Sequence, residues 1–109
     1  MITVNLERPI QYNQDGGGKV EIVAFDVRPP FWREEKKLRE TGKDRTIDFD
    51  ALMLTLAEPI GCDLPVSDEM VGRLSVWDQR KLERVLKGFF SHPDDLEPEL
   101  RKMYGLSEK

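Results

Sequence analysis

The chain has 109 residues, of which 39% are hydrophobic and 35% charged, and its formal net charge is −4. This length predicts one domain, and the composition allows a real but thin core. The negative charge argues against a sequence-independent nucleic-acid binder, which needs a basic face to displace counterions. No apolar run approaches the roughly 18 residues of a membrane span, and residues 1–7 lack the pattern of a signal peptide.

The N-terminal third is predicted to form a β-hairpin. Alternating apolar and polar residues over 2–7 predict a half-buried strand, which should end at Pro9 because proline cannot donate to a β-ladder. Residues 11–18 are rich in glycine and are predicted to form a flexible turn. The second strand, residues 20–27, has apolar residues on both faces. Either both faces are covered, or a β-bulge shifts the register near residues 22–23.

A charged helix is predicted next, over residues 31–41, with Gly42 as its stop. Its apolar side is thin and consists of Phe31, Trp32 and Leu38. Trp32 has charged neighbours and little core to join, so it is predicted to stay exposed. Exposed tryptophans are common anchors of protein–protein contacts.

Three further helices are predicted to supply most of the core. Asp48, Ser67 and Ser75 are the predicted N-caps, and Asp78, three residues after Ser75, suggests a capping box. Apolar residues at helical spacing follow the first and third of these caps. The predicted core combines Leu52, Leu56, Leu82, Val85, Leu86 and Phe89.

The C-terminal residues 91–109 differ in character, with clustered carboxylates and two prolines. One short helix could begin at Pro98 and end at Gly105. Its apolar residues are Leu100, Met103 and Tyr104. The chain is therefore predicted to be an α+β protein: residues 1–90 form an N-terminal β-hairpin packed on a small helical cluster, and an extended, mobile C-terminal tail follows.

The sequence predicts no catalytic residues, no cofactor and no metal site. His92, the only histidine, follows a helix end and has no catalytic partner nearby. Cys62, the only cysteine, cannot close an internal disulfide, which fits a reducing cytoplasm, and Asp63 beside it disfavours a thiolate. The carboxylates of residues 94–99 lack the spacing of a calcium loop.

Five short motifs follow one another along residues 2–90. They are Leu-x-x-Pro-Ile at 6–10, Arg-x-Pro at 28–30, an Asp-led helix at 48–56, Leu-x-x-x-Asp at 74–78 and Phe-Phe at 89–90. Their order and spacing resemble the tail assembly chaperone family of Mu-like phages and prophages. The segment 31–45 is more charged than the family pattern, and residues 91–109 extend past its usual end.

The resemblance implies a chaperone without catalysis that works in the host bacterial cytoplasm and is absent from the mature virion. Such proteins bind the tape measure protein, a long helical chain, and assist the tail tube subunit in polymerising around it. A long apolar helix needs its stripe covered until assembly, and a small helical domain can provide that cover.

Partner contacts should use apolar surface that the core does not need. The predicted partner-binding residues are Phe31, Trp32, Leu100, Met103 and Tyr104. Self-association is left open, whereas neither nucleic acid nor a membrane is predicted as a partner. The sequence leaves two alternative functions: a small intracellular adaptor or antitoxin-like module, and an enzyme, which the lack of a nucleophile–base pair disfavours.

Overall fold

The computed structural model describes residues 2–13, 18–41 and 48–106. In chain order its elements are β1 (Ile2–Asn13), β2 (Lys19–Val27), α1 (Trp32–Thr41), α2 (Phe49–Leu56), β3 (Ala57–Pro59), α3 (Asp68–Gly72), α4 (Val76–Gly88), a 3₁₀ turn (Pro93–Asp95) and α5 (Pro98–Met103). The strands form one antiparallel sheet in the order β1–β2–β3. The predicted α+β class, with an N-terminal hairpin and a cluster of helices, is confirmed.

The first strand is longer than the sequence predicted. β1 runs from Ile2 to Asn13, so the predicted strand end at Pro9 is wrong. Proline cannot donate to a ladder, but at this position it does not have to, because the pairing with β2 is interrupted there. Part of the turn predicted over residues 11–18 is therefore strand, and residues 14–17 lie outside the described residues.

The interruption is a bulge in β1. Pairing with β2 stops after Asn5 and resumes at Ile10, so residues 6–9 lie opposite Val23 alone. Of the two alternatives predicted for the second strand, the register shift near residues 22–23 is present, but the extra residues lie in β1. The bulge takes several backbone amides of β1 out of the ladder, and they need other partners.

The third strand, β3, was not predicted. It has three residues, Ala57–Pro59, and follows α2 without a loop. Ala57 pairs with Val27, and Pro59 pairs with Phe25. A segment this short is below the length at which alternation can be recognised in a sequence.

The outer edge of β3 is closed to further strands. Ladder bonds from the Arg28 amide to the Leu56 carbonyl and from the Ile60 amide to the Ala24 carbonyl flank the strand. Because antiparallel bonds alternate, residues 57 and 59 face outward. The amide of residue 57 donates to the Met53 carbonyl, and residue 59 is a proline. Neither offers a free N–H to another chain.

The helix starts follow the predicted capping residues. The side chains of the three predicted N-caps accept hydrogen bonds from amides of the first turn: Asp48, Ser67 and Ser75. The helix predicted over residues 31–41 is present as α1, and its predicted stop at Gly42 lies outside the described residues. Among the described helices, none has both the length and the apolar character needed to cross a bilayer.

The core lies between the sheet and helices α2 and α4. Five of its six predicted members are buried: Leu52, Leu56, Leu82, Val85 and Leu86. The prediction is wrong for Phe89, which is only half-buried at the edge of the cluster. Its ring lies against Tyr104, with 4.9 Å between the ring centroids.

Helix α5 packs against α4. Leu100 is 6% exposed and belongs to the core cluster. The Tyr104 hydroxyl donates to the Val85 carbonyl, and burial raises the pKa of Tyr104 to about 12. Gly88 makes this approach possible, because a Cβ at that position would collide with the Tyr104 hydroxyl.

Candidate functional site

Two adjacent aromatic side chains project from the start of α1. Phe31 is 70% exposed and Trp32 is 73% exposed, the largest values for any large apolar side chain of the described residues. Single exposed apolar residues are common on protein surfaces, but neighbouring aromatics with this exposure are candidates for an interaction site. We call Phe31 and Trp32 the aromatic pair.

An ion pair fixes the position of Phe31. The Arg28 guanidinium donates to both carboxylate oxygens of Glu34, at 2.7 and 2.8 Å, and it also donates to the Thr55 carbonyl at 3.3 Å. Glu34 also accepts from the Phe31 amide at 2.9 Å, and the Phe31 ring lies 5.1 Å from the guanidinium carbon. Hydrogen bonds from Arg28 and then Phe31 lower the pKa of Glu34 to about 2. Glu34 therefore holds the Phe31 backbone, and Arg28 lies beside the Phe31 ring.

Trp32 lies on the outer face of α1. The Lys36 ammonium is 5.7 Å from the centre of its ring, a cation–π distance. A shallow hollow of about 310 Å³ is lined by Trp32, Glu35, Lys36, Arg39 and Glu40. On the opposite side of the helix, Leu38 is 6% exposed and anchors α1 to the core. The outer face of α1 is therefore left to solvent.

A larger cavity adjoins the aromatic pair across Arg28. It has a volume of about 420 Å³ and is bordered by Arg28, Leu54, β3 and residues 62–66. Its carboxylates are those of Asp26, Glu58 and Asp63. Among the described residues that line it, Arg28 is the only cation, and that guanidinium is already paired with Glu34. The cavity is therefore acidic.

The predicted C-terminal partner residues lie elsewhere. Leu100 is buried, and Tyr104 is half-buried with its hydroxyl bonded to α4. Met103 is 37% exposed and borders a cleft next to Thr3 and Asn5 of β1. The structure does not place these residues beside the aromatic pair, and it leaves only Met103 with appreciable apolar exposure.

A second exposed tryptophan was not selected from the sequence. Trp77 is 61% exposed and Val76 is 62% exposed, in the first turn of α4. The Arg8 guanidinium lies 5.1 Å from the Trp77 ring. Helical spacing back from the buried Leu82 places Asp78, and not Trp77, on the inner face. That spacing was the signal in the sequence that could have identified this surface.

Side chains from the helical cluster bind backbone groups at the edge of β1. The Lys81 ammonium donates to the Asn5 carbonyl at 2.8 Å, and Arg73 donates to the Gln11 carbonyl at 2.7 Å. The amides of the bulge donate to the carboxylate of Asp78. Such capping works against pairing with another strand. A partner is therefore expected to contact side chains, and not to extend the sheet.

Asp78 is the one buried charged residue in the described part of the chain, with 0% exposure. It accepts from the Glu7 amide at 2.7 Å, the Arg8 amide at 3.0 Å and the Ser75 hydroxyl at 2.9 Å. Burial pushes the pKa of this carboxyl upward, but these hydrogen bonds and the nearby Lys81 charge outweigh it, so the pKa is lowered. The carboxylate therefore has a structural role, because it joins the bulge of β1 to α4.

The single histidine, the single cysteine and the C-terminal glutamates have different surroundings. His92 is exposed, and its Nδ1 accepts from the Asp94 amide at 3.2 Å. Cys62 is half-buried beside the acidic cavity. Glu97 and Glu99 both pair with Arg84. Within the described ranges, no three His, Cys, Asp or Glu side chains are grouped so that they could hold a metal ion.

Comparisons with protein-family models, with curated proteins and with solved structures gave no match to this chain.

Proposed function

We propose that this chain is a tail assembly chaperone of the kind found in Mu-like phages and prophages. It binds the tape measure protein and assists polymerisation of the tail tube subunit around it. It acts by binding, without catalysis or a cofactor, in the host bacterial cytoplasm, and it is absent from the mature virion. The order of motifs over residues 6–90 supports this proposal. The observation that carries it is the exposed aromatic pair on a folded domain.

The aromatic pair has the physical properties of a binding anchor. Each aromatic side chain can bury roughly 150–250 Å², and such residues dominate the energetics of interfaces. Glu34 accepts from the Phe31 amide, and the Arg28 guanidinium lies 5.1 Å from the Phe31 ring. These contacts orient Phe31 in the free protein, which lowers the entropy cost when a partner covers it. A tape measure protein presents a long apolar stripe, which is the kind of surface that such an anchor covers.

Coexpression with the cognate tape measure protein tests the proposal. The tape measure protein expressed alone should aggregate, because its apolar stripe has no cover. Expressed together with this chain, it should remain soluble and should copurify as a complex. A tape measure protein that is soluble alone and forms no complex with this chain would overturn the proposal. The aromatic pair would then belong to a small intracellular adaptor or antitoxin-like module.

A further inference from the structure

The outer face of α1 differs in charge from the rest of the chain. Together, α1 and Arg28 carry an excess of two positive charges, whereas the whole chain has a net charge of −4. Two of the three α1 carboxylates are engaged: Glu34 by Arg28, and Glu35 by Arg39 at 3.8 Å. Outside these two pairs, the exposed charged residues of α1 are three cations and one carboxylate: Arg33, Lys36, Lys37 and Glu40. The outer surface of α1 therefore has an excess of positive charge, although the hollow beside Trp32 also includes Glu35 and Glu40.

Cations border the exposed tryptophan on this face. Lys36 lies over the Trp32 ring, and Arg33 is its exposed neighbour in sequence. An apolar partner that covers Trp32 also removes water from these cations. Desolvating a cation is costly unless a carboxylate pairs with it. The partner surface that fits is therefore apolar in the middle and acidic at its margins.

The two flanks of the aromatic pair also differ in sign. On one side lies the acidic cavity lined by Asp26, Glu58 and Asp63, and on the other lies the outer face of α1. Carboxylates of a partner are repelled from the cavity and attracted to α1. Charge thus directs an acidic partner along the helix and away from β3.

The backbone of the partner is constrained as well. An extended segment gains main-chain hydrogen bonds when it joins a sheet edge. Here β3 offers no N–H from residues 57 or 59, and the Asn5 and Gln11 carbonyls of β1 accept from Lys81 and Arg73. A helix satisfies its own backbone hydrogen bonds and can pack along another helix at about 8–10 Å between axes. The geometry favours a helical partner segment.

We infer that the outer face of α1 docks an amphipathic helix of the partner whose apolar stripe is flanked by glutamate or aspartate. The stripe covers Phe31 and Trp32, and the flanking carboxylates pair with Arg33 and Lys36. This inference rests on the proposed function for its premise that the partner is a long helical protein. It adds the sign of the charges that the docking segment of that protein must carry.

Two designed helical peptides test the inference. Both carry the same leucine stripe, flanked by glutamates in one and by lysines in the other. Binding is followed by Trp32 fluorescence in a Trp77→Phe background. The chain has two tryptophans, so this change leaves Trp32 as the only one. The glutamate peptide should bind about tenfold more tightly at low salt, as expected for two partly desolvated ion pairs, and the difference should shrink in about 1 M salt.

Charge reversal locates the site. Arg33→Glu combined with Lys36→Glu should reverse the preference, so that the lysine peptide binds more tightly. Arg80→Glu combined with Lys102→Glu is the matched control, because both residues are exposed and lie on α4 and α5. This control should retain the preference for the glutamate peptide. Equal binding of the two peptides, or a preference that the α1 reversal leaves intact, would overturn the inference.

The outcomes separate this inference from the proposed function. If this chain captures the tape measure protein but binds both peptides equally, the chaperone role stands and the docking inference is overturned. Discrimination between the peptides without capture of the tape measure protein supports the docking inference and overturns the chaperone role.

Discussion

The carboxylate of Asp78 accepts a 2.7 Å hydrogen bond from the backbone amide of Glu7, although 71 positions separate the two residues. The next amide, that of Arg8, donates to the same side chain at 3.0 Å. Both amides lie in the β1 bulge, where the ladder with β2 is interrupted. A side chain in the first turn of α4 thus replaces the ladder partners that the bulge removes, and it ties the hairpin to the helical cluster.

Removing this carboxylate should destabilise the whole domain. Asp78→Ala leaves two amides of the bulge without an acceptor, and we expect a loss of about 2–4 kcal/mol in the free energy of unfolding. Asp50→Ala, at an exposed position in the first turn of α2, is the control and should change stability by less than about 0.5 kcal/mol. Urea unfolding of both variants measures the difference, and equal stabilities would show that Asp78 is not an anchor.

The same carboxylate should make stability depend on pH. Its pKa in the folded state is lowered from the ordinary 3.8. A group with a lowered folded pKa stabilises the fold above its unfolded pKa, and this contribution is lost as pH falls through the folded value. Wild type should therefore exceed Asp78→Asn in stability near neutral pH, and the gap should narrow below about pH 4. A gap that stays constant down to pH 2 would contradict this assignment.

Truncating the α4 face should create a costly cavity. Leu86 is fully buried, with 0% exposure, so Leu86→Ala should cost about 2–5 kcal/mol. Leu54 makes the matched control, because it is a leucine of α2 with 47% exposure. Its change to alanine should cost less than about 1 kcal/mol. Comparable losses in chemical denaturation would show that the Leu86 face is not core.

The contact between α4 and α5 depends on Gly88. Gly88→Ala puts a methyl group against the Tyr104 hydroxyl, so α5 must shift, at a cost of about 1–3 kcal/mol. In a Tyr104→Phe background the obstructing oxygen is gone and the cost should be smaller, which a double-mutant cycle measures. Gly72→Ala, where a Cβ meets nothing within 4 Å, should be close to neutral. Additive effects of the two changes would rule out the clash.

Local signals in the sequence were enough to predict most of the helices and the hairpin. Helical spacing predicted the buried faces of α2 and α4, and caps such as Ser75 marked where helices begin. The signals failed where distant residues decide the structure. Pro9 was predicted to end the strand because proline cannot donate to a ladder. The strand continues because Pro9 lies in a bulge, and the bulge amides are bound by Asp78, which is far away in sequence. The three residues of β3 become a strand only because β2 pairs with them.

In the candidate site, too, local signals predicted some features, and distant residues decided others. Exposure of Trp32 followed from its charged neighbours and is confirmed. The role of Leu100 and Tyr104 depends on the space beside Gly88, which no local pattern reveals, and both side chains pack towards α4. Aromatic residues at helical spacing usually belong to the core, which predicts a buried Trp77, and that prediction is wrong. Its 61% exposure makes it the natural control for Trp32.

Affinity for the cognate tape measure protein, measured with tryptophan variants of the purified chain, is the most direct test of the proposed chaperone role. Wild type and Trp77→Ala should bind equally well. Trp32→Ala should bind at least about tenfold more weakly, as for an interface anchor, while its Tm changes by less than about 2 °C because the side chain is exposed. Absence of binding by wild type at micromolar concentrations, or loss of binding in Trp77→Ala but not in Trp32→Ala, would contradict the role assigned to the aromatic pair.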